Sequence, residues 1–165
     1  MHRLILLCLL LAGCAATPPT PRTVFRAAAA PIYSAAAFDL SRLEGRWLQA
    51  AAFRATTTAD CAPGGVEFAR SGAGLRASGR LCLSGRQVTV NGAVTPTGPG
   101  RFDVAGMGEW WVIWGDGDYR TLAIGTPTGA FGFVLDRGQI SGDRLRAARE
   151  IFDFNGYSTD YLKPL

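Results

Sequence analysis

From Phe38 onward, apolar and polar residues alternate in short runs, and Gly, Pro, Asn or Asp interrupts them at the spacing of about 8–12 residues typical of sandwiches and barrels. Eight strands are predicted, at about 46–54, 64–70, 74–83, 86–95, 101–106, 109–115, 118–125 and 130–137. A helical segment follows at about 141–155. Ser141 is a candidate N-cap, Asp143 suits the first turn, and Asn155-Gly156 is a candidate left-handed stop.

Tight turns let the strand registers be read. A turn at Ser71-Gly72 sets Phe68 against Leu75, Val66 against Ala77 and Glu67 against Arg76. A turn at Ser84-Gly85 sets Leu81 against Val88, Gly79 against Val90, Ala77 against Gly92 and Leu75 against Val94. Both choices leave one face apolar or small, as a period of two requires. A third turn, Asp116-Gly117, pairs Trp114 with Tyr119, Val112 with Thr121 and Trp110 with Ala123. The first register, extended, brings Cys61 opposite Cys82. That predicts a disulfide closing a loop of about 20 residues, worth roughly 3 kcal/mol in the chain-entropy model; the alternative is two free thiols.

The last three strands are apolar on both faces. Trp111, Ile113, Leu122, Ile124 and Val134 are expected to point outward and need a cover. Leu145, Ala148, Ile151 and Phe152 of the helix supply one. The fold expected is all-β: a closed, eight-stranded antiparallel up-and-down barrel with one C-terminal helix packed outside.

The N-terminus changes the picture. Arg3 precedes an aliphatic run from Leu4 to Leu11, and Leu11-Ala12-Gly13-Cys14 follows. The run falls short of the ~20 residues that cross a bilayer and fits the apolar centre of a secretory leader. Leu-Ala-Gly-Cys resembles a bacterial lipobox, which implies cleavage before Cys14 and acylation of that cysteine with palmitate-class chains. Ala15, rather than Asp, implies sorting to the outer membrane, with the protein facing the periplasm. The expected division is a leader at 1–13, a tether at 14–37 and a barrel domain at 38–165. Pro18, Pro19, Pro21 and Pro31 argue against a helix in the tether. The alternative is that Val24, Phe25, Ile32 and Tyr33 pack on the domain. The net charge of +4 is scattered, which gives no nucleic-acid footprint. Export suits a disulfide.

Three segments carry a family resemblance. Residues 38–47 (FDLSRLEGRW) resemble the lipocalin start, a helical turn followed by Gly45-x-Trp47. Residues 119–127 (YRTLAIGTP) resemble the second lipocalin segment, above all in bacterial outer-membrane lipocalins, with Gly117-Asp118 where Thr-Asp is usual. Residues 131–137 (FGFVLDR) resemble the third, which ends in Arg137. The resemblance implies that Trp47 plugs the closed end and that Arg137 lies across its indole. It also implies a cavity for a small apolar ligand.

Inward positions read from the alternation include small residues (Ala51, Ala77, Gly79, Gly92, Gly106, Ala123 and Gly125). The ligand lining is expected from Phe53, Val66, Leu81, Val88, Val90, Trp110, Val112, Phe131 and Phe133. Of these, Phe53, Val66, Leu81, Val88, Trp110 and Phe131 are expected near the open end. A lining almost without charge suits a fatty acid or lysophospholipid. The alternative is a filled barrel acting as a structural or interaction lipoprotein. The sole histidine, His2, lies in the leader, so no His-dependent triad or zinc site is expected in the mature chain. No metal, cofactor or enzymatic activity is expected; the oligomeric state is left open. Replacing Cys14 with Ser should give a protein without acyl mass that no longer fractionates with membrane, as intact-mass measurement of each fraction will show.

Overall fold

The computed structural model describes residues 23–55 and 61–165. The leader, Cys14 and the first part of the tether lie outside them.

Eight strands close into a barrel: β1 (Gly45–Phe53), β2 (Gly65–Ser71), β3 (Gly74–Leu83), β4 (Arg86–Gly98), β5 (Arg101–Val104), β6 (Gly108–Gly115), β7 (Thr121–Gly125) and β8 (Phe133–Asp136). Neighbours in sequence pair antiparallel, and β1 pairs with both β2 and β8 to complete the ring. Helix α1 (Gly142–Phe154) packs outside, and a short β9 (Leu162–Pro164) pairs with the end of β1. Ser141 caps α1 by accepting from the Arg144 amide, and Gly156 (φ 79°) follows the helix stop at Asn155. No described helix is long and apolar enough to cross a membrane.

Two faces of the sheet carry two apolar cores. The inner one includes Trp47, Phe68, Leu81, Phe102, Trp110 and Phe133; the outer one joins Ala51, Phe53, Ile113, Ala123 and Val134 to Ala148 and Phe152 of α1. The helix covers the barrel wall as its sequence predicts, with Leu145 and Ile151 packed at the edge.

Bulges decide which residues face which core. In β1 the register against β8 shifts between Gln49 and Ala51. Trp47 and Ala52 therefore belong to the inner core and Ala51 and Phe53 to the outer one. An extra residue on one strand reverses the alternation beyond it, and so Phe53, expected in the ligand lining, sits beneath α1 instead. Its ring is 4.8 Å from that of Phe152. A second shift, between Val112 and Trp114 in β6, pairs Trp114 with Ala123 and Val112 with Ile124, not with Tyr119 and Thr121. Leu122 and Ile124 consequently face inward, and Ala123 lies outside under the helix.

The β3–β4 pairing matches the expected register throughout, with Leu81 opposite Val88 and Leu75 opposite Val94. The β2–β3 pairing is two residues away from expectation. Ser71 pairs with Gly74, so the turn is Gly72-Ala73, and Phe68 faces Ala77. A slip of two preserves the faces.

The closed end is built on Trp47. Its indole N–H donates to the Leu43 carbonyl at 2.7 Å, and the Arg137 guanidinium carbon stands 3.7 Å from the ring centroid. Arg137 also donates to the carbonyls of Arg42, Glu44 and Arg46. Burial holds its pKa below the usual arginine value. Gly45 has φ 101°, and a Cβ there would lie 2.8 Å from Arg137 Nη1. The glycine of Gly-x-Trp thus makes room for the arginine. Trp47→Ala should cost about 3–5 kcal/mol. Arg137→Ala should cost less, and a double-mutant cycle in urea should return about 0.5–2 kcal/mol of coupling.

Candidate ligand-binding site

Strand directions from Trp47 place the open end at the loops β1–β2, β3–β4, β5–β6 and β7–β8. A pocket of about 740 Å³ lies there, lined by Leu83, Val88, Met107 and Phe131, with Arg86 and Glu109 on its rim. Thr23 and Phe25 of the N-terminal segment also line it. Of the residues expected in the ligand lining, Val88 and Phe131 are the two at this mouth.

The others lie deeper. Leu81, Trp110, Val112 and Phe133 present no surface that water could touch, and Val66 and Val90 almost none. Their rings interlock. Trp110 stands 5.1 Å from Phe133, 5.9 Å from Phe102 and 6.2 Å from Phe131, and Phe68 stands 6.1 Å from Phe102. Val66, expected near the open end, pairs directly with Trp47 in the closed half.

The small residues expected to open a cavity do not open one. Ala51 and Ala123 belong to the outer core, and a Cβ at Gly125 would meet the Tyr157 hydroxyl at 3.0 Å. At Gly79 and Gly92 strands approach too closely for any side chain, since a Cβ would stand 2.2 Å from the Gly65 carbonyl oxygen and 2.3 Å from that of Ala105. Their smallness serves packing.

The mouth is held in shape by polar contacts. Ser84 donates to the Ala130 carbonyl at 2.6 Å, joining the β3–β4 turn to the β7–β8 loop across the opening. The Tyr157 hydroxyl accepts from the Thr126 amide at 2.7 Å and lies within donating distance of the Thr126 and Phe131 carbonyls. It therefore clamps both ends of that loop. Burial raises the Tyr157 pKa above the ordinary tyrosine value.

Cys61 and Cys82 form a disulfide, with Cα atoms 5.7 Å apart. The bridge arises even though β2–β3 pairs two residues away from the register that suggested it, because Cys61 lies in the loop before β2 and is free to turn toward β3. Beside it Gln49 takes a role not anticipated from the strand pattern. Its side-chain amide donates to the Cys82 carbonyl at 2.9 Å and its oxygen accepts from the Cys82 amide at 2.7 Å. It replaces a strand's backbone between β1 and β3, where β2 has not yet begun. An inward polar residue in an apolar strand was the available signal.

A second buried network holds α1 to the barrel. Thr121 donates to Asp136 at 2.6 Å, and Arg144 reaches both, at 2.7 Å to the Thr121 hydroxyl and 3.1 Å to the Asp136 carboxylate. Asp136 also accepts from the Gly138 amide. Among the described residues no group of three or more His, Cys, Asp or Glu side chains could hold a metal.

The N-terminal segment is part of the site. The Phe25 amide donates to Gly129 of the mouth loop, Arg26 bridges to Tyr157, and the Ala35 amide donates to Val112. Phe25 and Ile32 pack into the outer core, as the alternative reading of the tether had it, while Val24 and Tyr33 remain more than half exposed. Arg26 is buried, donating to the carbonyls of Ala30, Pro127 and Asn155.

No family model and no curated protein matches the sequence. Solved structures do. The chain is similar to the allergen Per a 4 from cockroaches, with a TM-score of 0.57 at 13% identity over 82% of this chain and 90% of that one. It is similar to lobster apocrustacyanin A1, with a TM-score of 0.54 at 13% identity over 82% and 88%. Crustacyanin H1 from the lobster Homarus americanus gives a TM-score of 0.52 at 14% identity over 73% and 74%. At such identities the likeness shows the fold alone, and the fold is that of the lipocalins.

Gln49→Leu should leave the buried N–H and C=O of Cys82 unpaired and cost about 1–3 kcal/mol in urea denaturation. Thiol titration of denatured, unreduced protein should find neither Cys61 nor Cys82 free.

Proposed function

We propose that the protein is an outer-membrane lipoprotein, acylated on Cys14 and facing the periplasm, that binds a small amphipathic lipid at the mouth of its barrel and catalyses no reaction. The observation that carries this reading is the mouth pocket. Its apolar wall at Leu83, Val88, Met107 and Phe131 suits an acyl chain, and Arg86 at the rim suits a carboxylate or phosphate. A fatty acid or lysophospholipid carries both groups. The disulfide, the Ser84–Ala130 hydrogen bond and the Tyr157 clamp support it, because a wall already fixed loses little entropy when a ligand settles. Each buried methylene contributes about 0.8 kcal/mol. A shallow seat takes part of a chain, so micromolar affinity is expected once association costs are set against it.

The packed interior favours a second reading, in which the barrel is a filled scaffold that acts through its surface. The two readings separate on one measurement. Delipidated protein should bind a long-chain fatty acid or lysophospholipid saturably, with Trp110 fluorescence responding through its contact with Phe131. Val88→Asp should weaken binding about tenfold or more, because an unpaired carboxylate would face the chain. Arg86→Ala should weaken binding of the anionic ligand and spare that of an uncharged analogue. Folded protein that binds no member of an acyl panel leaves the filled scaffold as the account.

A further inference from the structure

Among the described residues, three buried side-chain nitrogens have no hydrogen-bond partner: Arg101 Nε, Trp110 Nε1 and Trp111 Nε1. Arg101 and Trp111 stack on the outer wall, with the guanidinium carbon 4.9 Å from the ring centroid. Trp110 is the one inside the barrel, and it presents no surface to water. The rings around it, Phe133 at 5.1 Å, Phe102 at 5.9 Å and Phe131 at 6.2 Å, carry no acceptor. Gln49, a polar side chain that also points into the barrel, has both ends engaged with Cys82. A buried donor without a partner is costly, and native folds pair nearly all of theirs.

This donor lies below the mouth pocket. Gly108 lines that pocket, and Trp110, two positions on in β6, faces the same side about 7 Å further along the strand. A Cβ at Gly108 would meet nothing within 4 Å, so the wall above the indole is open. The floor of the pocket is the Phe131 ring, which is partly exposed and meets the Trp110 ring at an interplanar angle of 78°. Tyr157 and Thr126 hold the Phe131 carbonyl. The ring therefore turns on a fixed backbone, and a turn toward solvent uncovers the indole.

We infer that the Trp110 indole N–H is a recognition donor, and that the ligand of the mouth is an acyl chain bearing a hydroxyl or carbonyl oxygen several carbons from its anionic head. The inference rests on the mouth-binding reading proposed above and narrows its ligand class. With the head at Arg86, the chain descends along Val88 and displaces one ring, that of Phe131; its oxygen accepts from Trp110 Nε1. The donor is already out of water, so the hydrogen bond costs the desolvation of the ligand's oxygen alone. An unsubstituted chain at the same depth leaves the donor unpaired, and a site built around a hydrogen bond rejects the analogue that cannot make it.

The test is calorimetric titration of delipidated protein with stearate and with stearates hydroxylated at mid-chain, toward the tail or beside the carboxylate. The mid-chain or the tail form should bind about tenfold or more tighter than stearate. The form hydroxylated beside the carboxylate keeps its oxygen at the rim and should bind as stearate does. Trp110→Phe retains a ring, removes the donor and should erase the preference. A second readout needs no variant. In nitrogen-labelled wild type, the Trp110 Nε1–H resonance should move further downfield with the preferred hydroxystearate than with stearate, while that of Trp47, bound to Leu43, stays in place. Equal binding of stearate and every hydroxystearate, the result expected if a water holds the donor, overturns the inference and leaves acyl binding at the mouth standing. So does a gain confined to the hydroxyl beside the carboxylate, or a preference that survives in folded Trp110→Phe. Folded protein that binds neither stearate nor any hydroxystearate overturns the mouth reading, and the inference with it.

Discussion

The single-residue shift in β1 between Gln49 and Ala51 is the constraint from which the rest of the molecule follows. Before it, Trp47 and Gln49 point into the barrel, one to plug the closed end and the other to hold β3 at Cys82. After it, Ala51 and Phe53 point out and give α1 and Tyr157 a surface to pack on. The same stretch, freed from β2, accepts β9 as a partner. One strand thereby serves the plug, the seam, the helix and the C-terminus. Without the shift Phe53 would enter the barrel, and the outer core would lose the ring that Phe25, Phe152 and Tyr157 all touch.

Polar atoms placed inside the fold act as joints between elements that backbone pairing does not connect. Gln49 joins β1 to β3, the Thr121–Asp136–Arg144 cluster joins α1 to β7 and β8, and Tyr157 joins the chain after α1 to the mouth loop. Arg26 carries the N-terminal segment into the same joint through the carbonyls of Pro127 and Asn155. Asp116 shows the balance such groups strike. Burial pushes its carboxyl up, but the Thr121 and Arg120 amides and the Arg120 guanidinium outweigh that and hold it below the usual carboxylate range. Each joint orients one element against another, which dispersion between apolar faces does weakly and hydrogen bonds do sharply.

Much of the fold was legible in the sequence because it rests on period and on turn chemistry. The eight strands, the helix with its cap and stop, and the β3–β4 register all come from such local signals, whereas the disulfide forms although the β2–β3 register that suggested it is two residues off. The β2–β3 pairing differs from expectation by two residues with no bulge involved; the errors of facing share a cause. The β6 pairing and the facing of Phe53, Ala123, Leu122 and Ile124 turn on bulges. A bulge is one residue out of step, set by long-range pairing, and β1 reads as AAA where its alternation breaks. The site was less legible than the fold for a related reason. Ala and Gly at inward positions read as vacancy, whereas at Gly79 and Gly92 they mark backbone approach. The sequence shows the size of a side chain but not the distance to the strand opposite.

That distance decides where the proposed ligand has room to sit. Rings in contact at 5–6 Å around Trp110 leave no room for an acyl chain beside them, and inserting even one methylene into a packed core costs of order 1–3 kcal/mol. A chain that displaced several rings would lose more than burial of its own methylenes returns. The volume at the mouth carries no such penalty, since its wall at Val88 and Phe131 is already partly exposed and already fixed by Ser84, Tyr157 and the disulfide. Phe131 stands between the two regions, touching Trp110 on one side and lining the pocket on the other. The floor of any seat in this barrel is therefore the Phe131 ring. How deep a ligand sits depends on whether that one ring can turn, which Tyr157 restrains by holding its backbone carbonyl.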